Sequence, residues 1–158
     1  MVQDPVDPDI SLAVPAQRRE LREHPAAVLA AISLGGACGA LARYRVGELL
    51  PHHGGQWAWS TWLINVSGCL CIGVLMALID HRWPRQRLLR PFAGVGVLGG
   101  YTTFSTAAVD VVQLIGAHRP GPALLYLAAT ALAALVAVTL GSVATTAALT
   151  RGRKGGVS

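Results

Sequence analysis

Four long apolar stretches separated by short polar ones dominate the hydropathy pattern of the chain. A helix needs roughly 20 mostly apolar residues to cross the hydrocarbon core of a bilayer. The pattern therefore predicts four membrane-spanning helices, at about residues 26–46, 57–79, 92–116 and 122–149. Together they form one predicted membrane domain, residues 26–150. It lies between a polar N-terminal tail that we expect to be mobile, residues 1–25, and a basic C-terminal tail, residues 151–158.

The overall composition indicates an all-α integral membrane protein. Hydrophobic residues make up 53% of the chain and charged residues only 13%, whereas an average soluble domain has about 25% charged residues. The formal net charge is +5, but the arginines flank the apolar stretches instead of forming one basic face, which argues against nucleic acid as a partner. We find neither a nucleotide-binding loop nor a nucleophile and base pair in the sequence, so we do not expect an enzyme.

The third apolar stretch contains an unusual polar segment. Gly99 and Gly100 are followed by four hydroxyl side chains arranged around Phe104. Each glycine weakens a helix by roughly 1 kcal/mol relative to alanine, and hydroxyl groups compete for backbone hydrogen bonds. We therefore predict that the third helix is broken near the bilayer midplane. Because non-helical backbone at that depth must be buried by protein or line a polar cavity, this segment is the candidate ion site.

Polar residues elsewhere leave alternatives open. Asn65 lies inside the second span and is expected to face the protein interior, either joining helices or lining a pore. Asp110 is the sole acidic residue inside an apolar stretch. It is either a functional group or close enough to the helix end to reach the interface. His52 and His53 lie in the loop between the first two spans, where solvated side chains are the ordinary interpretation and metal ligands the rarer one, since the nearby sequence supplies no further ligands.

The distribution of basic residues predicts an orientation in the membrane. Four spans place both termini and the loop after the second span on one side, together with ten of the lysines and arginines. The other side has three, Arg43, Arg45 and Arg119. Basic residues concentrate on the cytoplasmic side. We therefore expect a multi-pass protein of the cell membrane with both termini in the cytoplasm.

Three separated motifs carry a resemblance to a known family. They are residues 35–44, GGACGALARY, residues 59–68, WSTWLINVSG, and residues 99–106, GGYTTFST. In order, spacing and placement on four spans they resemble the CrcB/Fluc fluoride channel family. The resemblance implies an antiparallel dimer of four-helix subunits in the bilayer, with two pores along the subunit interface. It also implies passive export of cytoplasmic fluoride, which reduces fluoride toxicity.

The resemblance implies roles for individual residues as well. Main-chain carbonyls of Gly99 and Thr102 would bind a structural sodium ion at the two-fold axis, and such hard oxygen ligands suit sodium. Asn65 would donate from its amide to the passing anion, and Phe104 would present the positive edge of its ring. The other implied pathway residues are Thr106, Tyr126 and Thr130 on a polar track and Arg43 near a pore mouth.

Two features depart from the family pattern. Family members typically have a second phenylalanine three residues after the first, where this chain has Ala107. Homodimers of the family insert in both orientations, which requires balanced flanking charge, whereas this chain has a ten-to-three bias. We therefore hypothesise a heterodimer with an oppositely oriented homologous subunit, and a homodimer is the alternative.

Three other functions are alternatives to a fluoride channel. A non-conducting or half-pore partner subunit would explain Ala107. A proton-coupled fluoride carrier would use Asp110 as its proton site. A small four-span proton-coupled exporter would need a glutamate in the middle of the first span. The first candidate in this chain, Glu48, comes only after Arg43 and Arg45.

Overall fold

The structure of the protein is a computed structural model that describes residues 25–154. The tails predicted at either end therefore lie largely outside the described residues. Between residues 25 and 154 all regular structure is helical, and four segments are long and apolar enough to cross a membrane: Pro25–Leu49, Trp59–Arg82, Arg90–Gly116 and Pro120–Arg151. The chain is accordingly an all-α, multi-pass membrane protein.

The four segments contain six helical elements. They are α1 (Pro25–Leu49), α2 (Trp59–Arg82), a π-helical segment (Arg90–Leu98), α3 (Gly99–Tyr101), α4 (Phe104–Gly116) and α5 (Pro120–Lys154). Helices α1 and α5 both begin at a proline, a residue that suits the first helical position because its missing N–H would have no partner there. Pro51 follows the end of α1, and the residue before a proline disfavours helical geometry.

The helices pack in two groups that share the third segment. Helix α1 packs against the π-helical segment and α3, while α2 packs along α5 and α4 also packs on α5. The contact between α1 and the third segment is close because it passes over Gly39. A Cβ there would overlap the carbonyl of Val97 and lie 2.8 Å from the backbone nitrogen of Tyr101. The glycines of α1 therefore allow the backbones to approach directly, as small residues do in membranes.

Large apolar side chains cover much of the outer surface. On α5, for example, Leu124, Leu132 and Leu135 are all more than 60% exposed. A soluble protein rarely leaves so continuous an apolar face open. This surface is suited to lipid or to another apolar protein surface.

The backbone of the third segment changes conformation at two residues. Thr102 (φ −77°, ψ 157°) and Thr103 (φ −152°, ψ 120°) are extended between α3 and α4. Thr103 is also the N-cap of α4, because its side chain accepts a hydrogen bond from the backbone N–H of Thr106. Helical hydrogen bonding is thus interrupted at Thr102 and Thr103, in the middle of the segment.

Candidate anion pathway

The extended residues of the third segment are held by the side chain of Asn65 on α2. The amide nitrogen of Asn65 donates to the carbonyl of Thr103 at 2.9 Å, and the N–H of Thr103 donates to Oδ1 of Asn65 at 2.8 Å. Asn65 is only 8% exposed, which confirms the expectation that it faces the protein interior. Its amide nitrogen has a second hydrogen, which remains available to a ligand.

The same hydrogen bonds leave two carbonyls without their ordinary helical partners. In a continuous helix the N–H of Thr103 would bond to the carbonyl of Gly99, but here it bonds to Asn65. The N–H of Thr106 would bond to the carbonyl of Thr102, but it bonds to the hydroxyl of Thr103. The carbonyls of Gly99 and Thr102 therefore lack their helical N–H donors, and carbonyl oxygens are hard ligands.

A group of hydroxyls lies at the start of α4. Oγ1 of Thr103 lies 2.9 Å from Oγ1 of Thr106 and 3.3 Å from the hydroxyl oxygen of Ser105. Each hydroxyl has one hydrogen and can rotate it toward a neighbour or a ligand. Thr106 and Ser105 are thus hydrogen-bond donors at this point of the chain.

A groove of about 410 Å³ opens beside the extended residues. Asn65, Thr103 and Phe104 line one part of it, and Tyr126 and Thr130 of α5 line another. The lining has no charged side chain. The groove is therefore mostly apolar, with a small number of polar groups.

Phe104 and Ala107 both line this groove but differ in how exposed their side chains are. The ring of Phe104 is 80% exposed, so most of its surface points away from the subunit. Ala107 is 3% exposed and belongs to a buried cluster that includes Leu114 and Tyr126. The position that has a second aromatic ring in the family pattern thus belongs to the subunit's own core.

Tyr126 and Thr130 face the groove with their hydrogens already engaged. The hydroxyl of Tyr126 donates to Oδ2 of Asp110 at 3.2 Å, and that of Thr130 donates to the carbonyl of Tyr126 at 2.7 Å. Tyr126 is fully buried, with the ring of Trp57 packed edge-on against it at 5.1 Å between centroids. In this arrangement both residues shape the polar wall, and Thr130 must rotate its hydroxyl to donate to an anion.

A second cavity, of about 520 Å³, lies on the other side of Thr103, which lines both spaces. Arg43 and Tyr44 of α1 line it, together with His52 and Thr106. Arg43 is half-buried, and its Nη1 donates to the carbonyl of Thr102 at 3.4 Å. The guanidinium therefore reaches the interrupted segment instead of extending only toward the lipid headgroups.

The structure corrects the interpretation of His52 as a solvent-exposed residue. Its side chain is 24% exposed and bonds to the hydroxyl of Ser60 at 3.1 Å and to Oδ1 of Asp110 at 3.2 Å. Asp110 is 4% exposed, so it lies inside the protein. His53, the other histidine of the loop, is exposed as expected.

The predicted site residues divide into groups. Asn65, Phe104, Tyr126 and Thr130 meet at the groove, which Gly99 and Thr102 also line, whereas Arg43 and Thr106 line the second cavity. Sequence reasoning missed three residues that organise the region: Thr103, Ser60 and His52. A threonine at the start of a helical stretch is an N-cap signal that could have identified Thr103. Local sequence contains no comparable signal for His52.

The fold and the site together define a class: a helical, multi-pass membrane protein in which a mostly apolar groove with a few polar groups lies beside an interrupted membrane segment. Comparison with known proteins identifies the family. A family model described as "CrcB-like protein, Camphor Resistance (CrcB)" matches residues 30–142. The chain belongs to the CrcB family.

Named relatives cover most of the chain. "Fluoride-specific ion channel FluC 2" of Streptomyces avermitilis is 49% identical over 124 residues, 78% of this chain and 78% of that protein. Proteins of the same name from Nocardia farcinica and Thermobifida fusca are 52% identical over 116 residues and 50% identical over 124 residues. These alignments cover 73% and 78% of this chain and 83% and 92% of the two relatives.

Proposed function

We propose that the chain is a subunit of a fluoride-specific ion channel that lets cytoplasmic fluoride leave the cell passively and so reduces its toxicity. The observation that carries the proposal is the groove at Thr103, where an amide donor, an aromatic ring and hydroxyls converge without a charged side chain. The relatives' printed name supplies the ion. Family membership and these printed names also favour a channel over an enzyme.

The chemistry of the groove suits a small anion that must bind and leave quickly. The second N–H of Asn65 is a donor in the groove, the hydroxyl of Thr106 is a donor in the second cavity, and the edge of the Phe104 ring carries positive partial charge. A buried lysine or arginine would bind fluoride tightly and slow its release. Several weak sites allow entry as well as exit. Arg43, in the second cavity, attracts anions toward the mouth of the pathway.

We propose that the active unit is an antiparallel dimer, with the interruption of each third segment near the bilayer midplane. Two observations support this. The ring of Phe104 is 80% exposed in the single subunit, and the groove opens outward instead of closing around its contents. A second subunit packed over this face would cover the ring and turn each open groove into an enclosed pore.

A structural sodium ion at the dimer centre is part of the proposal. The carbonyls of Gly99 and Thr102 fit this role because Asn65 and the cap of α4 divert the N–H groups that would otherwise engage them. Two carbonyls are too few for a sodium ion, but a two-fold axis doubles the set. The ion would offset the repulsion between carbonyl dipoles that face each other across the axis.

A heterodimer is the second candidate assembly. Ala107 contributes no aromatic surface, and the ten-to-three distribution of basic residues favours a single orientation with cytoplasmic termini. Streptomyces avermitilis has at least two relatives, named FluC 2 and FluC 3. An oppositely oriented homologous subunit would then supply the other half of each pore.

Fluoride efflux from liposomes that contain only this chain tests the proposal. A fluoride electrode follows release, and chloride-loaded liposomes serve as the control for selectivity. Rapid release of fluoride but not chloride supports a homodimeric channel. Release only after addition of a second homologous subunit supports the heterodimer. A rate that follows an imposed pH gradient would instead indicate a proton-coupled carrier.

A further inference from the structure

We propose that His52 is a positioning residue for anion passage: it holds Asp110 beside the pathway and offsets the negative charge of that carboxylate. The inference rests on the proposed fluoride function. It concerns a loop histidine and a buried acid that lie outside the residues assigned to the pathway above.

Asp110 has both carboxylate oxygens engaged inside the protein. Oδ1 accepts from Nε2–H of His52 and Oδ2 accepts from the hydroxyl of Tyr126, each at 3.2 Å. The side chain is only 4% exposed. Burial of a carboxylate is costly unless another charge compensates it. Within residues 25–151, His52 is the only basic side chain in an ion pair with Asp110.

Hydrogen bonds to neighbouring elements hold His52 and its loop in place. Nδ1 of its ring lies 3.1 Å from the hydroxyl of Ser60 on α2. The guanidinium of Arg119 donates to the carbonyl of Gly55 in the same loop at 3.0 Å. His52 also lines the second cavity, so its ring can exchange protons with water there.

The hydrogen bonds survive a change in the protonation of His52. In the neutral ring, Nε2–H donates to Asp110 and Nδ1 accepts from Ser60. In the protonated ring, Nδ1 donates to Ser60 instead. Deprotonation therefore alters the charge of the pair without requiring any heavy atom to move, because only the Ser60 hydroxyl hydrogen rotates. The pair has no net charge when His52 is protonated and a charge of −1 when it is neutral.

This charge lies beside the proposed path of the anion. His52 and Thr106 both line the second cavity, and Thr103 lines both that cavity and the groove. Tyr126 lines the groove and bonds directly to the carboxylate. One uncompensated negative charge at this position should reduce fluoride throughput about tenfold at the effective dielectric constant of a partly buried site.

Other charged and polar groups near His52 come from the elements packed around the loop. Arg43 and Tyr44 line the same cavity from α1, Tyr126 lies behind Asp110 on α5, Arg119 contacts the loop, and α2 contributes Ser60.

Fluoride efflux from liposomes at equal internal and external pH tests the inference. Leak of undissociated hydrogen fluoride from protein-free liposomes is subtracted. The variants are His52→Gln, which keeps a donor but has no charge, Asp110→Asn, and the two combined. His53→Gln, a change of the exposed neighbouring histidine, is the matched control. Gel filtration and thermal unfolding in detergent establish that each variant folds.

The charge of the pair predicts each result. We expect the control to match the unmodified protein and His52→Gln to be about tenfold slower. The double variant should regain the rate of the unmodified protein, because it removes the carboxylate charge together with its partner. If His52→Gln fails to fold, the double variant decides the matter: a rate about tenfold below that of the control would contradict the inference.

Two results would overturn the inference. They are a His52→Gln variant that behaves like the control, and a loss in His52→Gln that the added Asp110→Asn change does not restore. Absence of fluoride efflux from the unmodified protein, alone and with a homologous partner, would contradict the proposed function itself, so the two failures are distinguishable.

Discussion

Replacement of Asn65 by alanine is the most informative change at the interrupted segment. The side chain makes two hydrogen bonds to the backbone of Thr103, at 2.8 and 2.9 Å, and Thr103 is 8% exposed. Without Asn65, a buried N–H and a buried carbonyl lose their partners. Each such loss costs about 1–3 kcal/mol. Water entering from the groove recovers a part, so we expect a loss of about 2–4 kcal/mol in the free energy of unfolding.

Two assays measure the consequences of Asn65→Ala. Thermal unfolding in detergent should show a Tm lower by roughly 5–15 °C. Fluoride efflux from liposomes should fall at least about tenfold, because the anion loses an amide donor and the extended residues lose their support. Thr139→Ala is the matched control, since that hydroxyl is exposed and bonds only to its own helix at Leu135. Unchanged stability and unchanged efflux in Asn65→Ala would refute the assignment of Asn65 as the support of this segment.

Three further predictions concern the pore, the packing and the proposed sodium ion. Phe104→Ile should reduce fluoride efflux at least about tenfold without a change in Tm, because the exposed ring contributes little to the subunit core; unchanged efflux would contradict its role in the pore. Gly39→Ala should cost about 3 kcal/mol of stability, because its Cβ overlaps backbone, whereas Gly47→Ala, with open space at that point, should be tolerated. Replacing sodium by a large organic cation should lower the Tm of the purified protein, and a Tm independent of sodium would argue against the proposed ion site.

Much of the fold follows from local pattern alone. The length and apolarity of the four segments require helices, because a helix satisfies its own backbone hydrogen bonds in lipid. The glycine pair and the hydroxyls after Leu98 identify the unusual segment for the same local reason. The burial of Asn65 also follows from sequence, since an amide in an apolar span needs partners within the protein. The choice between joining helices and lining a pore did not follow from sequence; in the structure Asn65 bonds to the third segment at Thr103 and also lines the groove.

The tertiary structure alone decided how distant residues meet. His52 and Asp110 are 58 positions apart, and only the packing of α2, α4 and α5 brings the loop histidine to the buried carboxylate. Adjacent histidines in a polar loop look solvent-exposed in any local window, which is why the interpretation of His52 was wrong while that of His53 was right. The burial of Ala107 against Tyr126 is likewise invisible in sequence. Hydropathy indicates whether a side chain favours an apolar environment over water. The partner of a buried polar group depends instead on which other helix or loop packs against it.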